Sequence, residues 1–501
     1  MSARDTSPSF RTTTTTSPKR RNAAHPSTMP SPSCCNTSAA DLSLNIVVVG
    51  GNIAGLATAY ALKKAGHKVL ILEKSNGMAR CPGSVRSTPN MTKILDRWGL
   101  GPALVKCAHK CEKIVFRTGK TGDLVAAMIL NEEFMHDIAA DFFLLQHHDL
   151  YTMLYELAQE VGVEFRFECS VTSVDSTSVS VTVESGERLF CDVIVGADGY
   201  KSIVRPIVTG ELNNPQASNS DSGELNLSFI VPASKMKQHE DLRPFANMKM
   251  GDWTSWMGDG YILHGGFSGE GRDFTATMVY KFHNNSIYRA KGHENDQSPL
   301  ARYSIDLQKF EPKTRKLLSL GQLVFSRVYR PDTGPENVVC EESRVTLVGD
   351  AAHPLMPVGN INAATGIEDA QTLGCLFSRL KTRSQISQLL NAYEDIRQPR
   401  SRFVQDADRG QHDLLSLPSG PMQEQRNAIL RSAMVDEEKG GHMDEVIFRE
   451  VWGKEIAIYS YDATEQVDDW WTKWGSMLVR GSTNGASHST NVEVSISRAG
   501  W

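Results

Sequence analysis

The sequence predicts an α/β fold in which a parallel-sheet domain is interleaved with a strand-rich second domain and followed by C-terminal helices. Three observations carry this expectation. An apolar run at 46–49 leads straight into a glycine turn and a helical stretch. Two further apolar strands, at 191–196 and 344–348, each deliver an aspartate just beyond their carboxyl end. Between those strands, 211–340 alternates strands and turns, as expected of a sheet domain inserted between two halves of another.

The chain has 501 residues, 40% hydrophobic and 22% charged, which suits two interleaved domains better than one compact unit. The boundaries read as a disordered tail at 1–43, a first dinucleotide-domain part at 44–210 and a sheet domain at 211–340. A second dinucleotide-domain part with helices follows at 341–415, then a helical extension at 416–501. The tail is rich in Ser, Thr and Pro, with the basic run Lys19-Arg20-Arg21, and has too little apolar surface to offset its ordering entropy. It lacks the apolar core of a secretory signal, and its Pro and Thr content spoils the amphipathic helix of a transit peptide. No run of roughly 18 apolar residues predicts a membrane span. The formal net charge of −5 argues against a nucleic-acid partner. Nine scattered cysteines, among them Cys34-Cys35 in the tail and Cys107 and Cys111 in one segment, read as packing thiols of a reduced cytoplasmic protein without structural zinc.

Ile46-Val47-Val48-Val49 is the pattern of a strand covered on both faces. Gly50-Gly51-Asn52-Ile53-Ala54-Gly55 follows, then a helix from Leu56 to Ala65 closed by Gly66. Val69-Leu70-Ile71-Leu72 forms the next strand and ends in Glu73. In such a βαβ unit Gly50 permits the tight turn and Gly55 lets the helix pack closely on the strand. The N–H groups of Asn52, Ile53 and Ala54 and the helix dipole face a pyrophosphate, and Glu73, about 20 residues on, receives the adenosine ribose hydroxyls. Asn52 occupies the middle glycine of the usual G-x-G-x-x-G; Asn is the residue next most tolerant of positive φ, so the turn is expected to survive. FAD and NAD(P) both use this unit, and the motif alone does not choose between them.

The distant segments do. Cys191 to Gly199 is a strand ending in Asp198-Gly199, followed by Ser202 and Arg205. Arg344 to Pro354 repeats the design with Gly349-Asp350, then come Pro357, Gly359, Asn360 and Asn362 and the helix containing Ile367-Glu368-Asp369-Ala370. Together with Pro89-Asn90, Asp149-Leu150 and Tyr393-Glu394 with Arg397, Pro399 and Arg400, this combination resembles the class A flavoprotein monooxygenases, the aromatic hydroxylases that include salicylate and para-hydroxybenzoate hydroxylase. The resemblance covers most of 44–410. It implies a Rossmann-like FAD-binding domain interleaved with a β-sheet substrate domain. Asp350 is then expected on the flavin ribityl chain, and Gly359, Asn360, Ile361, Asn362 and Ala363 at the pyrimidine edge of the flavin ring. Arg86 joins the flavin contacts, and Asp198 serves flavin and nicotinamide unless its turn only supports the sheet.

Two departures from the family pattern stand out. Asn360 and Asn362 occupy places where glycine is usual, and Ile361 one where Gln is frequent; Asn again suits a left-handed turn. His147 stands where the family usually has an arginine reaching the flavin; it either donates a hydrogen bond there or is a solvated surface histidine.

Only one dinucleotide unit is visible, which favours the hydroxylases in which NAD(P)H docks transiently. The implied reaction reduces FAD with NAD(P)H, adds O2 to form a flavin C4a-hydroperoxide, and transfers oxygen to a small aromatic substrate, phenolic or salicylate-like, with secondary metabolism as one setting for it. Trp253, Trp256 and Gly260-Tyr261-Ile262-Leu263-His264 alternate at strand spacing. Tyr261 and His264 are the catalytic candidates, since a hydroxyl or imidazole near a phenol suits base catalysis. Trp470-Trp471 reads as a buried packing pair. The chain is expected to work as a monomer or homodimer. An epoxidase or dearomatising oxidase on the same scaffold, or an FAD-binding protein with little turnover, are the rival readings.

Overall fold

The computed structural model describes residues 39–475 apart from 78–82, 131–134, 136–137, 212–222, 244–250, 269–272, 283–302, 304, 330–333, 356–360 and 435–444. Nearly all of the predicted tail thus lies outside the described residues.

The first apolar run forms the strand Asn45–Val49, which pairs in parallel with Lys68–Leu72 on one side and Val193–Gly196 on the other. Glu164–Arg166 and Val345–Leu347 complete a five-stranded, all-parallel sheet, so both distant strands join the βαβ unit as its strand patterns require. Its central strands are buried on both faces. The helix Ile53–Lys64 covers one face beside Asn362–Phe377, and the two helices meet at small residues: a Cβ on Gly374 would lie 2.8 Å from the Cβ of Ala61.

The second domain is a seven-stranded sheet in the order Gln322–Tyr329, Gly223–Pro232, Asp273–Phe282, Tyr261–Ser268, Asp252–Gly258, Lys113–Thr118 and Leu124–Ile129. The last two strands correct the sequence-derived boundary. Residues 113–129 belong to this sheet and not to the first flavin-domain part, because Lys113–Thr118 pairs in parallel with Asp252–Gly258 across a long stretch of sequence. One face of the sheet buries Leu227, Phe229, Trp256, Leu263, Met278 and Leu317, the last from the helix Pro312–Leu320. The other face turns toward the parallel-sheet domain.

The C-terminal helices are Gln385–Leu415, which carries Pro399 inside it, then Pro421–Ser432, Glu445–Ser460 and Ala463–Trp470. Glu445–Ser460 is kinked at Trp452, whose φ of −108° and ψ of 15° are non-helical. Trp470 and Trp471 are half-buried, with the Arg379 guanidinium 5.0 Å from the Trp471 ring, so the expected buried pair is partly open to solvent. No helix among the described residues is long and apolar enough to cross a membrane.

A buried ionic cluster joins these parts. Arg397 donates to Glu368 at 2.8 Å and to Asp369 at 2.7 Å, and Arg400 donates to Glu368 at 2.9 Å. Asn90 donates to Glu368 at 2.7 Å, and Asp369 also accepts from His353 at 2.6 Å and from the Gly349 N–H at 2.8 Å. Each carboxylate oxygen is thus bonded, the condition under which buried charges are tolerated.

Candidate functional site: a cofactor cleft and an adjoining cavity

The turn at 50–55 is built by close approach. Gly50 has φ +103°, and a Cβ there would stand 2.5 Å from the carbonyl oxygen of Ala197; a Cβ on Gly55 would stand 2.0 Å from that of Gly50. Asn52 corrects one expectation. Its φ of −93° is extended, so no left-handed tolerance is needed; its side chain instead caps the helix, accepting from the Ile53 N–H at 2.8 Å. Glu73 accepts from the N–H of Gly51 at 2.7 Å and of Ser75 at 2.8 Å, which fixes the acid against the glycine turn.

A cleft of about 1120 Å³, open mouth included, runs from this helix N-terminus along the carboxyl ends of the parallel strands. Asn52, Ile53 and Ala54 line it beside Asp350, Asn362 and Ala363, and His147 joins the lining with Ser84 and Val85. The three separated stretches of sequence do converge here. Asp350 is held by Asn362, whose amide donates to it at 3.2 Å, and by Arg327 at 3.7 Å, while Arg205 donates to its backbone carbonyl at 2.7 Å. Asn362 is the first residue of its helix, so here too no left-handed conformation is required. Burial, with His148 next, pulls His147 down to about 4, so it is uncharged at neutral pH.

Asp198 is not in the cleft by its side chain. Its carboxylate accepts from Ser202 Oγ at 2.5 Å and from the Ile203 N–H at 2.7 Å, capping its own turn, and only its neighbours Ala197 and Gly199 line the cleft. The turn-supporting reading therefore replaces the cofactor contact. Gly359 and Asn360 lie outside the described residues.

A smaller cavity, about 670 Å³ with its open mouth included and about 50 Å³ of it enclosed, adjoins the cleft. Arg86, His264, Ile361 and Phe116 line it, with Trp452 and Tyr459 from the C-terminal helix. Arg86 was expected on the flavin. Its strand, Ser84–Ser87, presents Ser84 and Val85 to the cleft and Arg86 to this cavity, where the guanidinium sits 5.5 Å from the Trp253 ring. Ile361 likewise faces the cavity while Asn362 and Ala363 face the cleft, so one backbone segment is the wall between the two.

A single cross-strand row links both spaces. Phe116, Ser255, His264, Thr277, Ser228 and Phe325 are neighbours in register across the seven-stranded sheet, hence on one face. The first three line the cavity and the last three the cleft. Ser255 Oγ and His264 Nδ1 are 2.7 Å apart, and His264 Nε2 is buried with no partner. Burial, with the charges of Arg86 and His412, holds His264 well below the usual imidazole range. Tyr261 is on the opposite face. It is fully buried against Phe310, its hydroxyl donates to the Lys309 carbonyl at 3.0 Å, and it touches neither space. Its candidacy as a catalytic group is withdrawn. Sequence reasoning missed Ser255, Thr277 and Ser228, and also Trp452, Glu455 and Tyr459, whose helical spacing marked a face without saying what it faced.

The cleft fits FAD on its own chemistry. Besides the pyrophosphate-sized helix N-terminus and the Asp350 carboxylate, four buried polar atoms of described cleft residues have no partner within the protein: Ser84 Oγ, His147 Nδ1, Asn226 Nδ2 and Asn362 Oδ1. A long ligand with a polar heterocycle supplies what they need.

The chain is 25% identical over 431 residues to the FAD-dependent monooxygenase OpS4 of Beauveria bassiana, covering 85% of this chain and 96% of that protein. It is 26% identical over 398 residues to 3-hydroxybenzoate 6-hydroxylase 1 of Aquipseudomonas alcaligenes, covering 77% and 93%. Among solved structures, a salicylate hydroxylase–substrate complex superposes with a TM-score of 0.65 at 18% identity, covering 85% of this chain and 97% of that one. The FAD-binding domain family matches residues 43–252 and 339–408. Those two blocks hold the glycine turn, Glu73, Asp350 and the Asn362 helix, and by that match over more than half its length the chain belongs to the FAD-binding domain family, in the form that FAD-dependent monooxygenases share.

Proposed function

We propose that the protein uses NAD(P)H and O2 to hydroxylate a small phenolic aromatic held in the cavity beside Ile361. The observation that carries this reading is the shared wall: Ile361 to Ala363 separate a cofactor-sized cleft from a smaller pocket faced by Phe116, Trp452 and Tyr459 together with the polar groups of Arg86 and His264. Similarity to proteins named as hydroxybenzoate and salicylate hydroxylases supports an aromatic substrate.

Bound FAD supplies electron transfer from NAD(P)H and activation of O2. The chain supplies the rest. The N-terminus of Ile53–Lys64 and Asp350, both on the cleft, would hold the cofactor, with Glu73 beside the glycine turn to receive its ribose hydroxyls. Phe116, Ile361, Val404 and Trp452 give the cavity an apolar wall that would keep water from the reacting atoms. His264, neutral and braced by Ser255, accepts a hydrogen bond from the substrate hydroxyl at Nε2 in the tautomer that leaves this atom unprotonated. Its depressed basicity makes it an orienting acceptor and a weak base, so full proton removal is not its task. Arg86, at the same wall, offers a buried cation that would stabilise negative charge developing on the departing oxygen, while the substrate oxygen itself gives up electron density as the ring attacks.

The test is NAD(P)H oxidation by the purified yellow holoprotein across a panel of phenols, aminophenols and hydroxybenzoyl compounds. A several-fold stimulation by some member, with a product one oxygen atom heavier, is the expected result. Failure of every member to stimulate oxidation refutes the reading.

A further inference from the structure

The charge inventory of the cavity bears on the substrate class, and the inference rests on the monooxygenase reading above. Five ionisable side chains line the cavity: Arg86, His264, Asp408, Glu455 and Tyr459. Only Arg86 is a fixed cation, and both Asp408 and Tyr459 act on it electrostatically. His264 is uncharged, as its burial dictates, and Tyr459 stays a neutral phenol, pushed up to about 12 by burial ahead of any charge effect. Against one cation stand two carboxyl groups, Asp408 and Glu455. Glu455 accepts from the Gln411 amide at 3.1 Å, and burial raises it toward the neutral form. The lining is therefore neutral if Glu455 is protonated and negative if it is not. In neither state is there a spare positive charge to receive an anion, and a carboxylate brought in would be desolvated beside another carboxylate.

The polar atoms without partners specify the rest. Trp452 Nε1 and His264 Nε2 belong to two cavity-lining side chains, each 4% exposed, and neither atom has a hydrogen-bond partner in the protein. An indole N–H only donates, so the Trp452 end calls for an acceptor. Trp452 is fixed by stacking on Phe116, ring centroids 5.4 Å apart and planes 23° from parallel, and by the kink in its helix. That helix lies beyond the segments matched by the family, so this part of the wall is a feature of the chain's own C-terminal region.

We infer that the cavity selects an uncharged aromatic bearing a hydroxyl and a neutral hydrogen-bond acceptor such as an amide or ketone, and that Asp408 and Glu455 are the specificity-determining residues that turn away the corresponding benzoates. The test compares isosteric pairs that differ in charge: 3-hydroxybenzamide with 3-hydroxybenzoate, and salicylamide with salicylate. Binding is read from perturbation of the bound flavin's visible spectrum at pH 7.5 without NAD(P)H. The wild-type holoprotein is expected to bind each amide at least about tenfold more tightly than its carboxylate. Asp408→Asn, which frees Arg86 of its carboxylate neighbour, is expected to shrink that ratio by about tenfold, mainly by tightening the carboxylate. Glu455→Gln is the second variant, for use if Asp408→Asn does not retain flavin, and is expected to shrink the ratio in the same direction above pH 8, where any ionised fraction of Glu455 is greatest. Wild-type binding of benzoates as tight as that of amides, or ratios unchanged in both variants, overturns the inference. Because binding is read without turnover, selective amide binding with no stimulated NAD(P)H oxidation refutes the proposed reaction and leaves the charge selection standing.

Discussion

Replacing Asp369 with asparagine tests whether the buried ionic cluster sets the cofactor cleft. Asp369 is fully buried and accepts from Arg397, His353 and the Gly349 N–H. Gly349 has φ +59°, and a Cβ there would meet Ala54 at 2.7 Å, so this bond pins the turn that presents Asp350 to the cleft. The substituted amide would keep the shape but lose the charge and set an NH2 against one set of donors. Two guanidinium groups would then share the single carboxylate of Glu368. Breaking a buried pair in this way costs about 3–5 kcal/mol, which for a chain of this size lowers the melting temperature by roughly 3–5 °C. FAD affinity should fall by about tenfold or more as the 349–350 turn loosens. Thermal unfolding followed by flavin fluorescence, with FAD titration of the apoprotein, measures both. The pH dependence adds a signature. Burial works to raise the Asp369 carboxyl, but His353 and Arg397 outweigh it and hold the group at about 2. Its folded value is thus below its unfolded one, so the stabilisation, about 2 kcal/mol from the shift alone, is complete above pH ~4 and lost as pH falls toward 2. The difference between wild type and variant should narrow over that window. A variant melting within about 2 °C of wild type at pH 7 with unchanged FAD affinity would refute the reasoning.

Three further outcomes follow from local geometry. Gly55→Ala places a methyl 2.0 Å from the Gly50 carbonyl oxygen, and the displaced turn should cost about 1–3 kcal/mol and leave a purified protein with a lower flavin-to-protein absorbance ratio. Tyr261→Phe removes only the bond to the Lys309 carbonyl, so it should cost about 1 kcal/mol in denaturant titration with kcat unchanged, whereas His264→Leu should lower kcat at least about tenfold; equal kinetic effects would show that the two strand faces have been misassigned. His147, held at about 4 by burial and His148, binds its proton more readily in the unfolded chain between pH ~6.5 and 4, so stability should decline as pH falls through that window by up to about 3 kcal/mol, and melting curves of His147→Gln should be flatter there.

The parts of the fold legible in the sequence were those fixed by local pattern. The strand–turn–helix–strand unit at 45–73 is read from buried runs and glycines because backbone crowding at Gly50 and Gly55 permits nothing else. Asp350 was legible because an acid at the carboxyl end of a parallel strand falls where such sheets bind ligands. What stayed hidden depended on partners far away. Strand parity put Tyr261 and His264 on opposite faces, but only the helix Pro312–Leu320 decides which face is core and which faces the cavity. The hairpin at 113–129 joins the large sheet through a parallel pairing that no turn announces. Asp198 and Asn52 were read for ligands, yet their side-chain oxygens are taken by groups within a few residues, the Ser202 hydroxyl and Ile203 N–H for Asp198 and the Ile53 N–H for Asn52, the competition that makes short polar side chains turn and cap formers first.

The same ionic cluster also reaches the other side of the site. Arg400, bonded to Glu368, donates on its far side to the carbonyl of Ile458 at 2.8 Å, and Ile458 and Tyr459 line the cavity. Arg97 holds Asp462, the cap of the next helix, at 2.8 Å. The carboxylates on the helix Asn362–Phe377 therefore fix two things at once: the 349–350 turn at the cleft through Asp369, and the C-terminal cavity wall through Glu368. The helix's own first residues are part of the partition between cleft and cavity. Cleft and cavity are thus shaped by one element, and a change that tilts it should alter both together. The C-terminal region, which the sequence presents as an extension, is by this connection part of the cavity wall.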